Sequence, residues 1–576
     1  MTAGKTVRVA AVQFAAGDDV ARNWSTCLAM IDRAAEGKAD LAVLPEFANH
    51  ASWYEHHAHC RRVAVDLDGE FLAAIGERAR RHRMHIVVNC TVRREADAVT
   101  ATSILFDDQG QRLAASDKQV LIGHENDFLR RAIVPCPVVE TRLGRIGLYA
   151  CMDGVICETP RGLALSGADI LCNSLNSFAL DEASLHVPVR AAENRVFVVA
   201  ANKCGPLIPE ALLEPVSKAT SIPVRFLHGA GESQIVAPDG RVLAIAPREG
   251  EAVVFADIDP RQARDKRRPD GTDRFAVRRP ELYAPIGEDP AARTPAAHRA
   301  AASLEVAVVL PRAVGVLAVA EVTDLVAEIT ADGVELVVLP ELFCFERGTV
   351  PDPIHALGRS QLAIDSIATA CKRGARVVAS LVTHDGGNHR LSGVVIGAEG
   401  VEWAQPLLHR CKRHEWATPG DALRTLDLPW GRLAVLPGAD SIHPEMSRLA
   451  AIAGADVLAV PFSVQEAWEL TTGLLERAAE NRLCLIAATE QSPLGASRIM
   501  TLEEDFTVMT PWKSRPFDGL LSYPVVTGAA DVSGRVIRGT VHPSRAHNKV
   551  VSHRTDLVAG RPWQLAQAIT KKAIHG

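Results

Sequence analysis

The segment RAAENRVFVVAAN at residues 190–202 recurs as RAAENRLCLIAAT at residues 477–489, an offset of 287 residues. Three further pairs of segments align in the same order along the chain: ADLAVLPEF (39–47) with VELVVLPEL (334–342), GRIGLYAC (144–151) with GRLAVLPG (431–438), and SGADIL (166–171) with AGADVL (453–458). Two of these three pairs have the same offset of 287 residues. The first has an offset of 295, and a difference of eight residues in the length of one loop would explain it. The 576-residue chain is therefore predicted to contain two copies of one domain of about 290 residues. A solenoid is excluded, because it needs three or more short repeats.

The join between the copies is predicted from a change in composition. Residues 286–303, IGEDPAARTPAAHRAAAS, are rich in Pro and Ala and have no hydrophobic periodicity. The strand pattern TVRVAAVQF at 6–14 then begins again as LEVAVVL at 304–310. These features predict a first domain at residues 1–285 and a second at 304–576, joined by the linker 286–303.

Apolar runs of strand length alternate with helical patterns in each copy. VARNWSTCLAMIDRAAEG at 20–37 and FLAAIGERARRHR at 71–83 have apolar residues at helical spacing, whereas VRVAAVQF and DLAVLPE are typical of strands. Residues 102–116 are predicted to form a hairpin that turns at Gln-Gly. Strands that are almost continuously apolar are covered on both faces, so the fold class is α/β with layered sheets and helices.

The composition is that of a globular protein and excludes several classes of function. The chain is 47% hydrophobic and 23% charged, with 63 Lys and Arg against 69 Asp and Glu. It has no basic block suited to a phosphate backbone and no apolar run of membrane-spanning length, so we expect neither nucleic acid nor membrane as a partner. The first residues lack a signal-peptide pattern and the twelve cysteines lack disulfide spacing, so we expect reduced thiols in the cytoplasm.

Three residues of the first copy stand at predicted strand ends, where α/β sheets present catalytic groups. Glu46 ends the strand LAVLPE, Lys118 follows the hairpin, and Cys151 lies between the strand RIGLYA and a helix. A thiol at such a turn is activated by the helix N-terminus and by a nearby ammonium group. A carboxylate can accept the thiol proton and later activate water. Taken singly, a buried Cys, a helix-capping Glu and a surface Lys each have an ordinary structural explanation.

Together, these motifs resemble those of the nitrilase superfamily of carbon–nitrogen hydrolases. LPEF at 44–47, the lysine after the hairpin and GRIGLYACMDGVICE at 144–158 are similar to the three motifs that carry the family's catalytic residues. RAAENRVFVVAAN and GESQIVAPDGRVLA, at 231–244, are similar to two later family motifs. The resemblance covers residues 6–275, and its five motifs occur in the family's order.

The resemblance implies an α-β-β-α sandwich, here two in tandem, and a catalytic triad of Glu46, Lys118 and Cys151. In that mechanism Glu46 acts as the base, and the sulfur of Cys151 forms a thioester. Lys118, with a backbone N–H near Met152, stabilises the oxyanion. The predicted substrate-binding residues are Glu125, Met152 and Asn176. The family needs no metal, and we expect no cofactor.

The dipeptide Met152-Asp153 after the cysteine favours an amidase or N-carbamoyl hydrolase, since true nitrilases usually have Trp-Glu there. We therefore expect hydrolysis of a non-peptide C–N bond in a small-molecule amide or carbamoyl substrate. Two alternatives stay open: acyl transfer from the Cys151 thioester to an amine, and a noncatalytic binding scaffold. EHHAHC at 55–60 offers metal-ligand residue types, but adjacent His residues on a strand point apart, so we predict a polar loop there.

The second copy lacks the nucleophile, because Gly438 aligns with Cys151. Glu341 is retained, whereas the alignment puts Leu408 opposite Lys118. Since no thioester forms without a thiol, the second copy is predicted to be a degenerate domain that pairs with the first within the chain. A homo-oligomer is a further option. The opposing hypothesis is that the second copy keeps a regulatory ligand site at Glu341.

Overall fold

A computed structural model describes residues 6–292, 295–530 and 534–571; outside it lie residues 1–5, 293–294, 531–533 and 572–576. The chain forms two compact units, each built from separate segments. Unit 1 contains Met1–Lys266, Asp505–Ser522 and Val550–Gly576, and unit 2 contains Arg267–Glu504 and Tyr523–Lys549. Contacts therefore group the chain differently from the two sequence copies, whose boundaries at 285 and 304 stay a prediction.

The first half of the chain contains twelve strands and eight α-helices within the described residues. The strands are β1 (Val7–Gln13), β2 (Leu41–Val43), β3 (His85–Arg93), β4 (Val99–Phe106), β5 (Arg112–Asp117), β6 (Val138–Thr141), β7 (Gly144–Ala150), β8 (Ile170–Ser174), β9 (Phe197–Ala201), β10 (Gln234–Val236), β11 (Val242–Ile245) and β12 (Ala252–Ile258). The helices are α1 (Val20–Glu36), α2 (His57–Val63), α3 (Glu70–His82), α4 (Glu125–Phe128), α5 (Met152–Val155), α6 (Glu158–Leu165), α7 (Val187–Asn194) and α8 (Glu210–Thr220).

Unit 1 is a sandwich of two six-stranded sheets. Their strand orders are β12-β1-β2-β3-β4-β5 and β11-β10-β9-β8-β7-β6. Strands β1 and β2 pack against β8 and β9, α1 and α3 cover the outer face of one sheet, and α6 and α7 cover the other. The central strands are parallel, with Leu171 of β8 opposite both Gly147 and Val198. The predicted α-β-β-α architecture is confirmed in this unit.

The second half of the chain supplies the elements of unit 2 and two C-terminal segments of unit 1. The strands are β13 (Leu304–Val309), β14 (Leu336–Glu341), β15 (Arg376–Asp385), β16 (Asn388–Gly397), β17 (Gly400–Pro406), β18 (Leu426–Leu428), β19 (Gly431–Val435), β20 (Val457–Pro461), β21 (Cys484–Ala488), β22 (Arg498–Thr501), β23 (Val525–Thr527), β24 (Ala529–Ala530), β25 (Val536–Val541), β26 (Val550–Ser552) and β27 (Thr555–Asp556). The helices are α9 (Val316–Ala331), α10 (Pro353–Ala370), α11 (Pro444–Ile452), α12 (Leu474–Asn481) and α13 (Gln567–Thr570).

Unit 2 repeats the arrangement of unit 1. One sheet has the order β17-β16-β15-β14-β13-β25-β24, and the other has the order β18-β19-β20-β21-β22-β23. Apart from the added β24, each strand corresponds in position and order to a strand of unit 1. Helices α9 and α10 cover one sheet and α11 and α12 the other, so unit 2 is also an α-β-β-α sandwich. The strands β26 and β27 pair with each other in unit 1.

Local sequence explains where the predicted elements begin and end. Helix α1 begins after Asp19, whose carboxylate accepts hydrogen bonds from the N–H groups of Ala21 and Arg22 at 3.0 and 3.1 Å. The hairpin predicted at 102–116 is confirmed as β4 and β5. The polar loop predicted at 55–60 is wrong, because most of that segment belongs to α2, which His56 caps by accepting a hydrogen bond from the N–H of His59.

All twelve cysteines are free thiols. Among the helices of the described residues, none combines the length and the apolar character that a membrane crossing requires. Within the same part of the chain, one His and Asp group lies close enough to share an ion: His298, Asp456 and His547.

This group has a structural explanation. His298 Nε2 and His547 Nε2 lie 2.6 and 3.2 Å from the two oxygens of the buried Asp456 carboxylate. In unit 1 the corresponding Asp169 is paired with Arg264 at 3.4 Å. The two imidazoles therefore satisfy a carboxylate that an arginine satisfies in the other unit, and no metal is needed to explain the cluster.

Candidate active site

The three predicted triad residues lie at the ends of three strands of unit 1. Glu46 follows β2, Lys118 directly follows β5, and Cys151 directly follows β7. The N–H of Cys151 donates to Ser174 O at 3.0 Å, and that of Glu46 to Leu175 O at 3.1 Å. These bonds fix both backbones to the same end of β8.

The backbone of Cys151 is strained in the way that strand-to-helix turns at active sites often are. Its φ and ψ are 48° and −109°, outside the regions that non-glycine residues ordinarily occupy. The residue is 7% exposed and lines a cavity. The sequence thus places a strained cysteine in the wall of a cavity.

Lys118 makes two buried ion pairs. Its Nζ atom lies 2.8 Å from Glu46 Oε1 and 2.9 Å from Glu125 Oε2, and the Lys118 side chain is 0% exposed. The ring of Phe47 lies 5.7 Å from the same ammonium group. Removing one partner of a buried ion pair typically costs about 3–5 kcal/mol, so the three charged groups hold one another in place.

Burial and neighbouring charges shift the pKa of each of the three triad residues. Burial raises the pKa of Glu46 to about 7, although Lys118 opposes the rise. Burial also raises the pKa of the Cys151 thiol well above its ordinary value, and Glu46 adds to this effect. Burial would lower the pKa of Lys118, but Glu125 and Glu46 outweigh it and raise that pKa well above the usual range. The resting state is therefore a thiol beside a permanent ammonium group.

A second buried lysine, Lys203, lies near the same carboxylate. Its Nζ atom is 5.8 Å from the ring of Phe47, on which Lys118 also lies. No hydrogen-bond acceptor meets this Nζ atom among the described residues. Burial lowers the pKa of Lys203 to about 8, and Glu46 opposes the fall. Lys203 was not predicted from the sequence, because a single lysine after a strand forms no recognisable motif.

Asp153 joins the lysine loop to the cysteine strand. Its Oδ1 atom accepts hydrogen bonds from the N–H groups of Gln119 and Val120 at 3.0 and 2.8 Å. Its Oδ2 atom accepts one from the N–H of Ala150 at 3.3 Å. Because these donors flank Lys118 and Cys151, Asp153 fixes the spacing between the ammonium group and the sulfur.

The cavity beside Cys151 has a volume of about 70 Å³, and Met152 and Asn176 line it, as their predicted role requires. No donor meets the buried Oδ1 atom of Asn176 within the part of the chain that the structure describes. Glu125 is placed differently: its carboxylate accepts hydrogen bonds from Lys118 and from the N–H of Ile122, at 2.9 and 3.1 Å. Its direct contact with substrate stays a prediction.

One wall of this cavity was not predicted from the sequence. Glu182 and His186 line it from a π-helical turn at Glu182–His186, and Asp181 lines it from the position just before that turn. Such turns occur frequently at functional sites. The available signal was an acidic pair shortly after the end of β8, in a stretch without a hydrophobic pattern of its own.

Unit 2 keeps the backbone of the site and lacks its reactive groups. Gly438 has a φ of 57°, close to that of Cys151, but carries no side chain. Glu341 is held by His414 Nε2 at 3.0 Å and by Arg413 Nη1 at 3.1 Å. Burial alone would raise the pKa of Glu341, but His414 and Arg413 outweigh it and hold that pKa at about 2. This carboxylate is a poor base at neutral pH.

The residue opposite Lys118 is Leu407, one position before the residue that the sequence alignment indicated. In unit 2 the carboxylate of Asp440 accepts hydrogen bonds from the N–H groups of Leu408 and His409 at 2.8 and 2.9 Å. In unit 1 the carboxylate of Asp153 accepts the corresponding pair of bonds from the N–H groups of Gln119 and Val120, the two residues that follow Lys118. The predicted pairing with Leu408 is therefore shifted by one residue, and a leucine still replaces the lysine.

Comparison with known proteins finds similarity in the part of the chain that contains this site. The sequence profile of the carbon-nitrogen hydrolase family matches residues 8–268. This part of the chain is therefore similar to carbon–nitrogen hydrolase domains. The matched residues contain every residue of the predicted triad.

Two sequence relatives and one solved structure are similar to this domain. A nitrilase of Pyrococcus abyssi is 27% identical over 263 residues, 46% of this chain and 93% of the relative. A nitrilase of Paraburkholderia phymatum is 28% identical over 303 residues, 49% of this chain and 86% of the relative. The crystal structure of an amidase from Nesterenkonia sp. is 23% identical, with a TM-score of 0.39, and the match covers 46% of this chain and 95% of that one.

We predict that restoring a thiol in unit 2 does not restore activity. In a Cys151→Ala background, Gly438→Cys is expected to leave hydrolysis at the background rate, because Leu407 replaces the lysine. A Cβ atom at position 438 would also lie 2.6 Å from Glu341 Oε1, at a φ that disfavours side chains. The strain is expected to lower the free energy of unfolding by about 1–3 kcal/mol. Amide hydrolysis above that of Cys151→Ala alone would contradict the prediction.

Proposed function

We propose that the protein hydrolyses a non-peptide C–N bond, in an amide or an N-carbamoyl group, through a thioester on Cys151. The observation that carries the proposal is the placement of Glu46 and Lys118 at 2.8 Å from each other, fully buried, beside a cysteine that lines a cavity. The match of residues 8–268 to the carbon–nitrogen hydrolase family supports the reaction class.

The first half of the proposed reaction forms the thioester. Glu46 accepts the proton of the Cys151 thiol as the sulfur attacks the carbonyl carbon, so a C–S bond forms and the carbonyl π electrons move to the oxygen. The ammonium group of Lys118, with the N–H of Met152, stabilises this oxyanion. The C–N bond then breaks, and the leaving nitrogen takes the proton from Glu46.

The second half of the reaction releases the acid. Glu46, again a carboxylate, accepts a proton from water while the water oxygen attacks the thioester carbon. The tetrahedral intermediate collapses, the C–S bond breaks, and the sulfur takes the proton back from Glu46. A raised pKa suits Glu46 to both steps, because a carboxylate with a pKa of about 7 accepts and returns protons readily near neutral pH.

Two features favour an amide or carbamoyl substrate. Met152 and Asp153 stand where true nitrilases of the superfamily usually have Trp-Glu. Asn176 lines the same cavity, and its amide oxygen, which no donor of the described residues meets, can accept a hydrogen bond from a substrate N–H. Because two sequence relatives are named nitrilases, a substrate panel must also include nitriles.

We further propose that the chain arose by duplication of one domain and that only the first copy is catalytic. The matching strand orders of the two units and the shared backbone at Cys151 and Gly438 support this history. Pairing of the two copies within the chain would give the degenerate copy a structural use. The cytoplasm is the proposed location.

We expect Cys151→Ala to abolish hydrolysis of every amide and carbamoyl compound that the wild type cleaves, because no other group can form the thioester. The matched control is Cys136→Ala, since Cys136 is a partly exposed thiol of the same unit outside the cavity. Rates of ammonia release and circular dichroism spectra measure activity and folding. Full activity in a folded Cys151→Ala protein would overturn the proposal.

We expect the acid limb of the kcat/KM profile to lie near pH 7 rather than in the usual range of a glutamate. Glu46 must be ionised to accept the thiol proton, so activity is present above its raised pKa and falls about tenfold per pH unit below it. Burial also raises the pKa of Asp153 to about 7, so Asp153→Asn is the control. That variant is expected to lower the rate and keep the limb; an acid limb that disappears in Asp153→Asn would contradict the assignment to Glu46.

A further inference from the structure

The cavity beside Cys151 is built from parts of the chain that are far apart in sequence. One side comes from the first half and includes Met152 and Glu182. The other side consists of Leu521, Ser522 and Val551, which lie in the two C-terminal segments of unit 1. Residues that follow the motifs of the second copy in the sequence therefore line the cavity of Cys151, the nucleophile of the first copy.

The segment that ends at Ser522 is fixed to the cavity wall by Asp181. The carboxylate of Asp181 accepts hydrogen bonds from the N–H and the hydroxyl group of Ser522 at 2.7 and 2.9 Å, and from the N–H of Leu521 at 3.2 Å. Since Asp181 is buried and directly precedes the π-helical turn, these bonds hold Leu521 at the cavity.

The segment that carries Val551 is fixed to the loop that follows Lys118. The Thr555 hydroxyl donates to Leu121 O at 3.1 Å and accepts a hydrogen bond from the N–H of Gly123 at 3.1 Å. Val551 is buried and packs in one apolar cluster with Met152. The side chain of Val551 is therefore a fixed part of the cavity wall.

A corresponding segment, which enters unit 2 at Arg267, shows what a different residue does at this position. DKRRPDGT at 265–272 aligns with NKVVSHRT at 548–555, so Arg268 corresponds to Val551. The preceding lysine makes the same contact in both: Lys266 donates to Asn194 O at 2.8 Å, and Lys549 to Asn481 O at 2.7 Å.

In unit 2 the arginine at this position forms a buried ion pair. Arg268 Nη2 lies 2.6 Å from the buried carboxylate of Glu469, which the repeat aligns with Glu182. Glu469 also lines a small cavity of about 10 Å³, which has room for about one water molecule.

We propose that Val551 and Leu521 are specificity-determining residues of the Cys151 site, which keep it open and limit it to small aliphatic acyl groups. The inference rests on the proposed amide hydrolysis and adds the substrate class. The volume of about 70 Å³ holds only a few non-hydrogen atoms, and the side chains of Ile122, Val155 and the two proposed residues offer an acyl group apolar contacts.

The test compares kcat/KM for acetamide, propanamide, butanamide and hexanamide. For the wild type, kcat/KM is expected to fall steeply from the short amides to hexanamide. Val551→Ala and Leu521→Ala each enlarge the cavity, and the ratio of kcat/KM for hexanamide over propanamide is expected to rise about 10-fold. Val550→Ala is the matched control, because Val550 is 40% exposed and adjacent in sequence; its ratio is expected to equal that of the wild type.

Val551→Arg tests the same proposal in the opposite direction. An arginine there is expected to pair with Glu182 as Arg268 pairs with Glu469, so hydrolysis of all four amides is lost. Alkylation of Cys151 by iodoacetamide, mapped by mass spectrometry, is expected to slow in this variant and not in Val550→Ala. Unchanged alkylation in a folded Val551→Arg protein would overturn the proposal.

The ratio between substrates separates specificity from damage to the fold, because partial unfolding lowers all four rates equally. If the wild type hydrolyses the amides and neither alanine variant changes the ratio, the inference fails and the proposed function stands. If the wild type hydrolyses no amide or carbamoyl compound and its Cys151 reacts no faster than the other thiols, the proposed function itself fails.

Discussion

The ammonium group of Lys118 between two buried carboxylates is the interaction on which the site depends. It lies 2.8 Å from Glu46 and 2.9 Å from Glu125, with no exposed surface on its side chain. Buried charges are stable only when paired, so the hairpin that ends at Lys118 and the strand before Glu46 must meet at this position. Asp153 then fixes Cys151 to the same loop through three backbone N–H groups. The catalytic geometry is thus a consequence of satisfying charge inside the sandwich.

Unit 2 shows that the same fold can satisfy its buried carboxylate without catalytic groups. Glu341 occupies the position of Glu46, but His414 and Arg413 neutralise it, and Leu407 stands where a lysine would. Gly438 keeps the left-handed backbone that strains Cys151. The backbone of the turn therefore does not depend on the thiol, and a lost nucleophile leaves the architecture intact.

The sequence predicted the layered α/β fold, the strand ends that carry Glu46, Lys118 and Cys151, and the matching halves, because each depends on local periodicity or on repeated motifs. It could not predict that Leu521 and Val551 line the cavity of unit 1, since their placement depends on hydrogen bonds to residues hundreds of positions away. The short helix at His57–Val63 was not predicted for a different reason. Its segment EHHAHC contains three His residues and too few apolar residues to show helical periodicity.

The most direct test of the central claim, that the chain has one reactive thiol, is the site of acylation. Wild-type protein mixed with propanamide and quenched in acid during turnover is analysed by intact mass and by peptide mapping of all twelve cysteines. The account predicts a propanoyl group on the peptide that contains Cys151 and on no other cysteine. Turnover without an adduct on Cys151, or an adduct on a cysteine of residues 304–576, would contradict it.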